Sequence, residues 1–196
     1  MSARLFAALE VPVDVRGTLA EFGRAAARED FALRAVGEAT MHLTLAFLGH
    51  RALDEVDPAG DAIAGLSAPA PRLELGDALW LAPRRPHVLT VAVGDPDGAL
   101  EALHAAVLAH LTEALPGWTP EQRPLRPHVT VARVRRGAQP RTTGLPAAPT
   151  GTWTSGSVVL FRSHLGGGPA RHEALARAEL SCGPRLRLRD GGTNGA

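Results

Sequence analysis

The sequence predicts an α+β fold, bilobal and internally duplicated, in which two antiparallel sheets face a central cleft and helices lie on the outside. Two observations support this prediction. Residues 41–46 (MHLTLA) and 127–132 (PHVTVA) have nearly the same sequence. Each of these motifs follows a segment with the apolar period of a helix. Because antiparallel sheets often bury only one face, each lobe can turn its polar face towards the other.

The first half of the chain contains two strands and two helices. Residues 4–10 have the composition of a strand, and Pro12 suits a helix start because the first helical residue needs no N–H donor. The first motif predicts a strand over residues 42–48, which Gly49 is expected to end, and a weaker helix covers residues 53–66. The apolar face of the first helix is formed by Val15, Leu19, Phe22 and Ala26.

The middle of the chain predicts a hairpin, a helix and the second motif strand. Residues 72–81 and 87–93 resemble two strands joined by a proline-rich turn. Pro127 leads into the second motif strand. The clearest amphipathic helix has an apolar stripe made of Leu100, Leu103, Val107, Leu111 and Leu115.

The last third begins with a long segment rich in proline, glycine and threonine, residues 136–151, which predicts a loop. Residues 157–165 predict a strand, and the glycines at 166–168 predict a turn. Residues 171–180 predict the returning strand, although their alanines leave a helix open as an alternative. The last six residues, 191–196, are expected to form a flexible tail.

Length and composition indicate one globular unit. At 20.5 kDa the chain fits a single bilobal domain over residues 1–190. The single cysteine, Cys182, cannot form an internal disulfide, and no apolar run approaches the length of a membrane span. We therefore expect a cytoplasmic monomer with no membrane partner. No cofactor is expected either, because the sequence shows no clustered metal ligands and no phosphate-binding loop with lysine.

Charge is distributed unevenly along the chain. The first 119 residues contain more acids than arginines, whereas residues 120–196 contain 12 arginines and only 4 acids. All 21 basic residues are arginine, whose planar guanidinium pairs well with phosphate oxygens. The basic part includes the second motif, which favours an anionic partner. For any single arginine, a solvated surface position remains the alternative.

Each motif places a histidine and a threonine on one face of a strand. Side chains alternate along a strand, so His42 and Thr44 point the same way, as do His128 and Thr130. Two histidines suit phosphoryl chemistry near neutral pH, because one can be neutral as a base while the other is protonated as an acid. Strict alternation would put Arg133 on the opposite face, so a site role for this residue requires a bulge or the end of the strand.

These motifs resemble those of the two-histidine phosphoesterase superfamily, and specifically of the RNA 2',3'-cyclic phosphodiesterase family, also called 2'-5' RNA ligase. The resemblance spans nearly the whole chain. The matching segments are residues 4–8 with Pro12, residues 42–49 (HLTLAFLG), residues 126–133 (RPHVTVAR) and residues 158–165 with Ser163.

The resemblance implies a bilobal fold with both motifs in a central cleft, and metal-independent opening of a terminal 2',3'-cyclic phosphate to a 2'-phosphate. It also implies that RNA ends or nucleoside 2',3'-cyclic phosphates are the partners, and that ends can be joined through a 2'-5' bond. Arg133 matches the arginine that this family has five residues after the second histidine. Family members usually have tyrosine where this chain has His172, and this chain contains no tyrosine.

If the regiochemistry of the family holds, the 3' oxygen leaves, and we expect His42 to act as the acid and His128 as the base. Thr44 and Thr130 are expected to hydrogen-bond the phosphate oxygens, and Arg133 to neutralise their charge. Two alternatives stay open. One is a related phosphodiesterase acting on 2'-5' oligoadenylate or a cyclic ADP-ribose phosphate, and the other is a non-catalytic module that binds RNA ends.

Overall fold

The computed structural model describes residues 1–82, 84–164 and 170–181. Within these residues three helices and nine strands form. The helices are α1 (Val13–Glu29), α2 (Val56–Ala64) and α3 (Ala99–Ala114). The strands are β1 (Ser2–Glu10), β2 (Leu33–Ala35), β3 (His42–Ala52), β4 (Arg72–Leu81), β5 (Val88–Gly94), β6 (His128–Val134), β7 (Gly151–Thr154), β8 (Ser157–His164) and β9 (Arg171–Glu179).

The described strands form one antiparallel sheet in the order β7-β4-β5-β6-β3-β1-β8-β9, and β2 pairs with β6 beside this path. The α+β class with antiparallel strands is therefore confirmed. The expectation of two separate sheets is wrong, because the two motif strands join the halves through the residue pair Leu43 and Val129. Each half has four strands along this path, and internal duplication stays a prediction.

The hydrophobic core lies between the helices and one face of the sheet. Helix α1 packs on β2 and β6, α2 packs on β8 and β9, and α3 packs on β3 and β4. Leu43 and Val129, which join the two halves, are fully buried in this core. Gly23 lets α1 approach β6 closely, since a Cβ there would lie 2.4 Å from the carbonyl oxygen of Val131. No helix in the described part of the chain is long and apolar enough to span a bilayer.

The sheet curls, and its concave face is the one turned away from the helices. In a flat sheet β3 and β9 would lie about 14 Å apart, because two strands separate them and neighbouring strands are about 4.8 Å apart. The ring centroids of His42 on β3 and His172 on β9 are only 5.2 Å apart. The side chains on this face therefore converge into a cleft, with the helices on the convex side as expected.

Most predicted elements are confirmed, including the hairpin of β4 and β5 and the strand β9, for which a helix had been an alternative. The first motif strand does not end at Gly49 but continues to Ala52. Gly49 has a φ of +73° and lies at a register shift between β1 and β3, where glycine tolerates the left-handed backbone of a bulge.

Two short strands, β2 and β7, were not predicted. The three residues of β2 are too few to show an alternating pattern, and β7 begins at Gly151, the last residue of the predicted loop. Four expectations lie outside the described residues: the last residue of the strand predicted over 157–165, the glycine turn at 166–168, the single cysteine Cys182 and the tail at 191–196.

Candidate active site

The two motif strands bring four polar side chains together on the concave face. Leu43 and Val129 are paired and point into the core. Antiparallel pairing then places His42 beside Thr130, and Thr44 beside His128, on the other face of the sheet. His42 and His128 are then diagonal neighbours across the two strands, and such neighbours lie about 7–8 Å apart. A phosphate that accepts a hydrogen bond on each side can bridge such a distance.

Both motif strands contain a β-bulge at the same place. The register against β1 skips Leu45, and the register of β5 against β6 skips Val131. The first six residues of β3 and β6 consequently share one burial pattern: half-buried, buried, half-buried, buried, buried, exposed. The extra residue turns Phe47 and Arg133 onto the concave face. The bulge that a site role for Arg133 required is therefore present.

Both histidines are held in the same orientation by the backbone that precedes them. Nδ1 of His42 lies 2.8 Å from the carbonyl oxygen of Thr40, and Nδ1 of His128 lies 2.6 Å from that of Arg126. A carbonyl oxygen only accepts, so each Nδ1 donates the hydrogen bond. In the neutral ring, the lone pair is then on Nε2 of both histidines.

The pKa of His42 is lowered to about 4, first by burial and then by the charges of His172, Arg133 and His128, against the opposing effect of the Thr40 carbonyl. With this pKa, His42 is neutral at pH 7. A proton donor must first gain a proton, so an acid role for His42 requires a bound anion that raises this pKa.

Aromatic rings form the floor of the cleft beside His42. The ring of Phe6 lies 4.7 Å from His42 and 5.3 Å from Phe161, between centroids. Phe47 lies 6.4 Å from Phe6 and is 60% exposed. The indole of Trp118 is buried and donates a hydrogen bond of 3.3 Å to the carbonyl oxygen of Phe47, which fixes the backbone after the bulge. Phe47 is thus an exposed aromatic surface in the cleft.

Comparison with known proteins identifies the family. Residues 15–167 match the 2'-5' RNA ligase superfamily. The chain belongs to this superfamily. The RNA 2',3'-cyclic phosphodiesterase of Aeropyrum pernix is 31% identical over 120 residues, which cover 61% of this chain and 67% of that protein. The resemblance inferred from the sequence, to the two-histidine phosphoesterases, is therefore confirmed.

Solved structures show the same fold. The structure of E. coli LigT complexed with 3'-AMP matches with a TM-score of 0.75 and 23% identity, covering 92% of this chain and 99% of LigT. The protein TT0787 of Thermus thermophilus matches with a TM-score of 0.74 and 27% identity, covering 92% of this chain and 100% of that one.

His172, at the position where the resemblance predicts a tyrosine, also belongs to the cleft. Its ring meets His42 edge to face at 5.2 Å and Phe6 at 5.0 Å. The Nδ1 atom of His172 is buried without a hydrogen-bond partner among the described residues. Burial lowers the pKa of His172, and the charge of Arg133 lowers it further. The sequence showed that this position departs from the family resemblance, but it did not predict that His172 contacts His42.

Two further arginines lie near Arg133. Arg34 on β2 is the direct cross-strand partner of Arg133 on β6, and both are exposed. Burial lowers the pKa of Arg133, and the charges of Arg34 and Arg4 lower it further. Sequence reasoning missed Arg34 because the strand that positions it was not predicted. The concave face thus combines the two motif histidines, His172, two threonines and a concentrated positive charge.

Proposed function

We propose that this protein hydrolyses the terminal 2',3'-cyclic phosphate of RNA to a 2'-phosphate without a metal ion, with His42 and His128 as the acid and base. The main support is the pairing of the two motif strands, in which alternation puts both histidines and both threonines of the motifs on one concave face. The family and its Aeropyrum relative support cyclic phosphodiester chemistry.

The reaction needs three contributions from the protein. A base takes a proton from water as the water oxygen forms a bond to phosphorus. An acid gives a proton to the 3' oxygen as the bond between phosphorus and that oxygen breaks. Hydrogen-bond donors and positive charge stabilise the non-bridging oxygens, for which Thr44, Thr130 and Arg133 lie on the same face as the histidines. Water, the two imidazoles and these three side chains are sufficient for this chemistry.

We keep His42 as the acid and His128 as the base. His42 alone is neutral at pH 7, so this role requires that the anionic cyclic phosphate offset the repulsion from Arg133 and raise the pKa of His42. A phosphodiester with p-nitrophenolate as the leaving group needs little help from an acid. If His42 is the acid, His42→Ala should retain much more of its activity on that substrate than His128→Ala; the opposite ranking would reverse the two roles.

The direct test is turnover of a nucleoside 2',3'-cyclic phosphate in excess chelator, with the product identified by phosphorus NMR. The expected product is the 2'-phosphate. His42→Ala and His128→Ala should each lower kcat by at least about 100-fold. His87→Ala is the matched control, because exposed His87 makes the same Nδ1 hydrogen bond, to the carbonyl of Arg85 at 3.0 Å. A wild-type protein that is inactive, or inactive only with the chelator, contradicts the proposal.

The same site can join RNA ends if the 5'-hydroxyl of a second strand replaces water. The 5' oxygen then bonds to phosphorus, the bond to the 3' oxygen breaks, and a 2'-5' linkage results. The family name supports this reaction. Comparing turnover of RNA ends with that of 2'-5' oligoadenylate and a cyclic ADP-ribose phosphate tests the substrate class. Salt-sensitive RNA binding without turnover of any of them would favour a binding module.

A further inference from the structure

A pair of arginines stands at one end of the concave face. In the register of β2 and β6, Arg34 lies directly opposite Arg133. Their neighbours Leu33 and Ala132 are fully buried, so alternation points both arginines away from the core. The bulge at Val131 puts Arg133 on the face of the motif histidines, and Arg34 shares that face.

Such a pair is unfavourable without an anion, because like charges directly opposite each other destabilise a sheet. None of the ion pairs between described residues involves Arg34 or Arg133. The nearby carboxylate of Asp30 is already engaged: its two oxygens accept hydrogen bonds from the backbone N–H of Ala32 at 2.9 Å and of Arg141 at 2.7 Å. Arg4 on β1 adds a third positive charge to the same surroundings.

The distance of Arg133 and Arg34 from the second motif determines which ligands this pair of positive charges can bind. Arg133 lies three residues beyond Thr130 on β6, and with the bulge this separation is about 7–10 Å along the strand. One anion between the histidines leaves the guanidinium of Arg34 with no negative partner. A ligand with a second phosphate one nucleoside length from the first would give each arginine a phosphate to pair with.

We propose that Arg34 binds a second phosphate of the substrate, the 5'-phosphate group of the nucleotide whose cyclic phosphate lies between His42 and His128. This inference rests on the proposed function and adds a subsite to it. In an RNA chain that group is the last phosphodiester, whereas in a mononucleotide it is a free 5'-phosphate. Arg133 lies between the two phosphates, and its cross-strand partner Arg34 lies beside the second. A free nucleoside cyclic phosphate leaves this subsite empty.

Three substrates with the same terminal base test the subsite: the nucleoside 2',3'-cyclic phosphate, its 5'-phosphorylated form, and the dinucleotide ending in the cyclic phosphate. The two with a second phosphate should have a kcat/KM about tenfold higher, the effect of one charge-assisted hydrogen bond. Arg34→Gln should lower kcat/KM about tenfold more on those two than on the nucleoside. Arg24→Gln, which removes an exposed charge from α1 on the other side of the sheet, should leave all three unchanged.

If Arg34→Gln lowered kcat/KM equally on all three substrates, Arg34 would act through the fold or through the general electrostatic potential of the cleft. That result would overturn the proposed subsite. If only the dinucleotide had a higher kcat/KM than the nucleoside cyclic phosphate, the contact would be with its second nucleoside. That result would also overturn the phosphate subsite. Binding provides a readout independent of turnover: the affinity for a labelled dinucleotide ending in a 2'-phosphate should show a salt slope that is smaller by about 0.7 in Arg34→Gln. If no substrate turns over but this slope changes, the proposed function fails and the phosphate subsite stands.

Discussion

Acid should destabilise this protein through His42. Its pKa is about 4 in the folded protein, against about 6.5 in an unfolded chain. Between these values the unfolded chain binds a proton that the folded protein does not, so a falling pH favours unfolding. The stability contributed by neutral His42 is nearly complete above about pH 7 and is lost as the pH falls through about 6.5 towards 4. The loss amounts to about 2 kcal/mol at pH 5 and a few tenths of a kcal/mol at pH 7.

Urea unfolding followed by tryptophan fluorescence at pH 7 and pH 5, in buffers free of phosphate and sulfate, measures this effect. His42→Asn removes the titrating group, so its free energy of unfolding should fall by about 2 kcal/mol less over this pH interval than that of the wild type. His87→Asn removes an exposed histidine and should retain the wild-type pH dependence. If wild type and His42→Asn lose the same stability between the two pH values, the burial argument for His42 is wrong.

Four further substitutions test helix α1 and the site. Gly23→Ala should destabilise the protein by about 1–3 kcal/mol in urea unfolding, because its Cβ would overlap the backbone of β6. Gly17→Ala, with nothing within 4 Å of its Cβ, should instead stabilise it by about 0.5–1 kcal/mol. His172→Asn removes a charge that lowers the pKa of His42, so this pKa should rise in an NMR titration; an unchanged value contradicts the contact. Thr130→Val should lower kcat/KM about tenfold at unchanged stability, and full activity would exclude its hydroxyl from phosphate binding.

The motif faces could be predicted from the sequence because alternation along a strand depends only on neighbouring residues. The bulges are also visible in the local sequence. In both motifs two apolar residues follow the threonine, Leu45–Ala46 and Val131–Ala132, where strict alternation of buried and exposed residues requires only one. From this pair of consecutive apolar residues, Arg133 could have been assigned to the same face as His128 by sequence alone. Assigning Arg133 to this face required no knowledge of contacts with distant parts of the chain.

The residues that join the site from elsewhere could not be predicted in this way. His172 reaches His42 only because the sheet curls across β1 and β8, and curling is a property of the whole sheet. Arg34 is on a strand of three residues that forms only because β6 offers it an open edge. The same long-range pairing turned two expected sheets into one, through the contact of Leu43 with Val129.

This narrow contact has a mechanical consequence. The single residue pair of β3 with β6 joins two four-stranded halves, and helix α3 packs on β3 in one half and on β4 in the other, so a small rotation of one half against the other would have its axis near that pair. His42 and His128 flank the axis and would hardly change their separation, while outlying groups such as His172 on β9 would move most. Such a rotation would therefore widen or narrow the cleft, while the separation between His42 and His128 would stay nearly constant.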